Sequence, residues 1–66
     1  MKTYQRVYLN KLRGHRNFLI QAIPKALDLA KRNKSNSKLR HMALKLYFSQ
    51  VQRLRDIETE IQSYAS

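Results

Sequence analysis

A chain of 66 residues holds one domain at most, and at that length it buries only about 60% of the surface its unfolded form exposes. No cysteine is available to staple so small a core, and 14 Lys and Arg against 4 Asp and Glu give a formal charge of +10. That balance points to a nucleic acid, an anionic surface or a very acidic protein as partner. With 42% hydrophobic residues the chain is too apolar for a disordered basic tail.

Apolar residues recur at three- and four-residue steps, and one Gly and one Pro leave few turn signals, so the fold class is all-α. The first helix is expected from about residue 3 to 33. Its opening, TYQRVYL at 3–9, is rich in strand-formers and offers a short strand as the competing reading. Gly14 and Pro24 each weaken a helix interior, so a kink or a split is expected near them. A split at Gly14 would give three helices, with residues 37–52 as a recognition helix. Tyr8, Leu12, Leu19, Ile23, Leu27 and Ala30 nonetheless share one face through both blemishes, with Pro24 opposite, among Arg6, Arg13, Asp28 and Lys31. A continuous, kinked helix fits that phase best.

RNKSNSK at 32–38 is the one clear break, with the turn at about 34–36. Asn36 or Ser37 can cap a second helix running from about 37 to 64, since a short side-chain oxygen accepts an orphan backbone N–H. Its apolar face comprises Leu39, Ala43, Leu46, Tyr47, Leu54, Ile57, Ile61 and Tyr64. Folding back at the turn pairs positions whose numbers add to about 70, which brings apolar residues together along an antiparallel two-helix hairpin. No repeat, low-complexity tract or linker divides the chain, so residues 1–66 are expected to form a single domain.

Both stripes are wider than one neighbour can cover. Val7, Phe18, Ala22 and Leu29 flank the first, and Met42, Leu44 and Phe48 widen the second. Phe18, Ala22, Leu29, Leu44 and Phe48 therefore form the expected dimer or partner face, and a homodimeric four-helix bundle is the expected assembly.

Little points to catalysis. Asp56, Glu58 and Glu60 are spaced two residues apart, which scatters them around a helix. His15 and His41 have no Cys, His or Asp three or four residues on, so no metal site is expected, and one glycine builds no phosphate loop. Neither catalytic residues nor a cofactor are expected, and the chain is read as a binding protein and not an enzyme. No apolar run approaches the roughly 18 residues of a membrane span, and MKTYQRVYLNKLRGHR lacks the features of a signal peptide, so a soluble, unprocessed, cytoplasmic protein is expected.

The basic residues are the strongest feature. Residues 25–45 hold seven Lys and Arg against Asp28 alone, more than half of the net charge at one end of the hairpin. Lys38, Arg40, His41 and Lys45 occupy the start of a helix, where the backbone dipole disfavours cations. Lys38, His41 and Lys45 are spaced to project together. Lys31, Arg32, Lys34, Asn36, Lys38, Arg40, His41 and Lys45 are the expected nucleic-acid contacts, mostly to phosphates of DNA or RNA. Lys11, Arg13 and Arg16 form a second basic patch. The alternative function is a protein-interaction module whose apolar helical face docks on an acidic partner protein. Association with a membrane is not expected, because the apolar faces match each other.

Overall fold

The computed structural model describes residues 2–65, and residues 1 and 66 of the expected domain lie outside the described residues. Two helices, α1 (Thr3–Arg32) and α2 (Ser37–Ala65), lie against each other as a hairpin. Both bounds fall within a residue of those read from the pattern.

Residues 3–9 are helical, and no strand occurs among the described residues. Strand propensity there is overridden by packing: the Tyr8 ring meets that of Tyr64 edge-on, with centroids 6.0 Å apart. The first turn is closed by the Gln5 carboxamide, whose oxygen accepts from the Lys2 backbone N–H at 3.0 Å. α1 then runs unbroken through Gly14 and Pro24, both of which are exposed. Because Pro24 faces away from α2, water can reach the carbonyl that its missing N–H leaves free.

Asparagines close the turn from both sides. The Asn33 backbone N–H and side-chain Nδ2 both donate to the Leu29 carbonyl, at 3.2 and 2.8 Å, which ends α1. Asn36, not Ser37, caps α2: its Oδ1 accepts from the Leu39 N–H at 3.2 Å and its carbonyl from the Arg40 N–H at 2.9 Å.

The register follows the expected pairing. Tyr8 Oη donates to Glu60 Oε2 at 3.0 Å, which fixes the open end of the hairpin. The buried seam is thin. It consists of Leu9, Leu12, Leu19, Ala26 and Ala30 from α1 with Ala43 and Ile57 from α2, and Ile23, Leu54, Ile61 and Tyr64 pack against it half-buried. Leu9 and Ala26 lie outside the expected face, whereas Tyr8, Leu39 and Leu46, expected inside it, are 42%, 47% and 49% exposed. Small seam residues explain the difference. Near the turn the seam is made of Ala26, Ala30 and Ala43, too small to cover Leu39 and Leu46, which are left beside it.

The molecule is a rod of 51 × 15 × 13 Å with a radius of gyration of 15.2 Å. A compact chain of this length would have about 11 Å. It exposes 5392 Å², against about 4,400 Å² for a compact monomer of its mass.

Candidate nucleic-acid interface

The basic residues gather around the turn end of the rod. Lys31, Arg32, Lys34, Lys38, Arg40, His41 and Lys45 are all exposed. Arg32 alone among them has an acidic partner: its Nε lies 2.9 Å from Asp28 Oδ2, the one ion pair among the described residues. On the surface such a pair is worth about 0–1 kcal/mol, but it offsets one charge of the cluster. Lys31 lies three residues from the same Asp28, and the cations from Lys34 to Lys45 face solvent with no carboxylate after Asp28 until Asp56.

Helical geometry divides these cations by side. Lys38, His41 and Lys45 stand in one row on the face of α2 turned away from α1, while Arg40 lies about 200° round the helix from Lys38. The row ends at Gln52, whose Nε2 donates to Asp56 Oδ1 at 3.1 Å and is thereby held toward the acidic end. At the head of the row, Asn36 takes the Leu39 and Arg40 amides. The N–H groups of Ser37 and Lys38, in the first turn, are left for an external acceptor.

The residues of the expected second basic patch lie on two sides of α1, with Arg13 and Arg16 three residues apart as neighbours on one and Lys11 on the other. Lys11 lines a shallow recess with Tyr8, His15, Arg53, Asp56 and Glu60. Arg13 is exposed about 200° round α1 from Lys11. Arg16 is half-buried, and its Nε, like Gln50 Oε1, is enclosed without a hydrogen-bond partner. In that recess the Tyr8 phenol donates to Glu60, and this bond, then partial burial and the Glu60 charge, raise its pKa above the ordinary tyrosine value, with Arg53 opposing.

The apolar residues expected to form one interface also separate. Phe18, Ala22 and Leu29 line one groove between the helices with Lys25, Leu46 and Gln50, and this continues towards the turn along Leu39, Met42 and Asn33. Leu44 and Phe48 do not line it. Phe48 lies about 200° round α2 from Leu46, is 64% exposed, and stacks edge-on against Tyr47 with centroids 5.3 Å apart. The structure thus makes two sides of what the sequence reads as one stripe. The groove includes Leu39 and Leu46, which sequence reasoning assigned to the core. The signal that could have found them is the alanine spacing, Ala26, Ala30 and Ala43, since a close seam excludes large neighbours.

No group of three or more metal-ligating side chains occurs among the described residues, and no helix of them is long and apolar enough to cross a membrane. Comparison with known protein families, curated proteins and solved structures finds no match for this chain.

Proposed function

We propose that this protein is a small nucleic-acid-binding accessory or regulatory factor of the cytoplasm, a binding protein without catalytic activity, which grips phosphates at the turn end of its hairpin. The observation that supports this reading most is the row Lys38, His41 and Lys45. It is exposed, lacks any acidic neighbour, and starts with Lys38 in the first turn of α2, where the dipole disfavours cations. Lys38 and Lys45 neutralise phosphates, and the first-turn amides of α2 with the Asn36 side chain supply donors beside them. Lys34 extends the contact round the turn, and Lys31 and Arg40 continue it along the adjoining side. Arg32 contributes only once it leaves Asp28.

We place a second hairpin on the side bearing Ile20, Leu44 and Phe48, giving a dimeric four-helix bundle. The rod exposes about 1,000 Å² more than a compact monomer would, enough to supply the roughly 800 Å² that one partner contributes to a standard interface. Ile20 and Phe48 are 50% and 64% exposed.

Fluorescence anisotropy with labelled duplex DNA, single-stranded DNA and structured RNA, each titrated over salt concentration, tests the function. Binding that weakens steeply with salt, with a slope matching about five phosphates, is expected. Lys38→Glu with Lys45→Glu should weaken it at least about tenfold and flatten the slope by about two contacts. No binding near 50 mM salt to any of the three ligands would sink the reading.

A further inference from the structure

The groove beside the seam is chemically unlike the phosphate row. Phe18 and Leu29 on α1 and Leu39, Met42 and Leu46 on α2 expose between 47% and 62% of their surface there, a contiguous apolar strip of the kind that marks an interaction site. From Phe18 to Asn33 it extends about 22 Å, four turns of an α-helix. Its floor includes the buried Ala26 and Ala43, and its walls come from both helices.

Its rim carries one sign of charge. Lys25 lines the groove directly. On α2 the groove's outer edge at Met42 passes into the phosphate row, whose Lys38 lies four residues before Met42 and Lys45 three after it. Lys34 stands at the turn. The nearest acid, Asp28, is occupied by Arg32, and no other occurs before Asp56.

We propose that this groove is a docking site for an acidic amphipathic helix of another protein, which lays its apolar stripe between α1 and α2 and its carboxylates along the lysine rim. Charge complementarity selects this occupant. A second copy would bring the same lysines against this rim, and like charges brought together are costly. A nucleic acid would satisfy the lysines but leave the apolar floor against phosphate and water. An acidic helix satisfies floor and rim together, and the result is a three-helix bundle of helix-in-groove type.

The test uses the full chain without nucleic acid, so that its outcome is independent of phosphate binding. The probe is a labelled 18-residue designed peptide with Leu at helical i, i+3, i+4 and i+7 spacing and Glu over most other positions. The control is a scrambled peptide of identical composition and charge. Anisotropy at physiological salt should show the amphipathic peptide binding at least tenfold more tightly than the scrambled one. Leu29→Gln with Met42→Gln, which leaves the charge unchanged, should remove that preference, and Lys25→Glu should weaken binding of the amphipathic peptide, with circular dichroism showing both variants helical. If the double variant fails to fold, Lys25→Glu carries the test alone. Equal binding of the two peptides, or wild-type affinity in Lys25→Glu or in a folded double variant, overturns the proposal. So does sedimentation showing that the double variant converts a dimer into a monomer, because the groove would then belong to a second copy.

Discussion

Gly14 lies in the interior of α1, where a helical glycine is less favourable than alanine by roughly 0.5–1 kcal/mol. Its backbone φ is not positive, and a Cβ built on it meets nothing within 4 Å. Neither strain nor packing inside the chain requires glycine. Gly14→Ala should therefore raise the unfolding free energy by about 0.5–1 kcal/mol, read from the urea midpoint at unchanged m-value. An unchanged or lowered midpoint would mean that the site is closely approached by something outside the hairpin. Tyr8 gives a second test at this scale. Its phenol is held protonated by Glu60, so its pKa in the folded chain lies above that in the unfolded chain. The stabilisation is therefore complete below the ordinary tyrosine range and is lost as pH rises through the raised value. Tyr8→Phe should remove a high-pH step from the tyrosine absorbance titration and leave the chain helical.

Each helix is held chiefly by what it buries, since marginal cores depend on a few side chains. Leu19 and Ile57 are 3% and 2% exposed and meet in one cluster with Leu12. Leu39 looks equivalent in the sequence pattern and stands beside the groove instead. Leu19→Ala should destabilise by about 2–5 kcal/mol, enough to unfold so small a domain, whereas Leu39→Ala should change stability by less than about 1 kcal/mol. Thermal unfolding of the two variants side by side separates the seam from the stripe. Helix type and ends were legible beforehand because they depend on local chemistry: Asn36 at the break, Asn33 before it, and apolar spacing on both sides. The lateral position of Leu39, Leu46, Leu44 and Phe48 was not legible. Spacing gives an angle around one helix, but how wide a buried face can be depends on the partner helix, and near the turn only the alanines are covered.

For the whole molecule, a rod 51 Å long with a radius of gyration of 15.2 Å has surface to spare. A dimer formed on the Ile20 and Phe48 side should sediment at about twice the monomer mass and show a thermal midpoint that rises with protein concentration. Ile20→Glu with Phe48→Glu should give a helical monomer of unchanged groove and phosphate row. A wild-type chain that stays monomeric at high micromolar concentration would remove the four-helix bundle while leaving both proposed binding surfaces to be tested separately. Charge is distributed at this scale too. Seven of the 14 Lys and Arg fall within residues 25–45, whereas three of the four acids fall at 56–60. The rod thus has a strongly basic end and a more neutral one, which orients it in the field of an acidic partner before contact.

By itself the sequence determined two helices, the turn between them, their antiparallel register and the basic end, because each follows from periodicity, capping chemistry or charge count along the chain. Only the tertiary structure decided how those charges and apolar residues are shared among sides. It left Leu39 and Leu46 exposed beside the seam and divided one apolar stripe into a groove and an opposite face. The physical reason is the seam: its width and azimuth depend on which small side chains meet across the two helices, and that is a property of the pair.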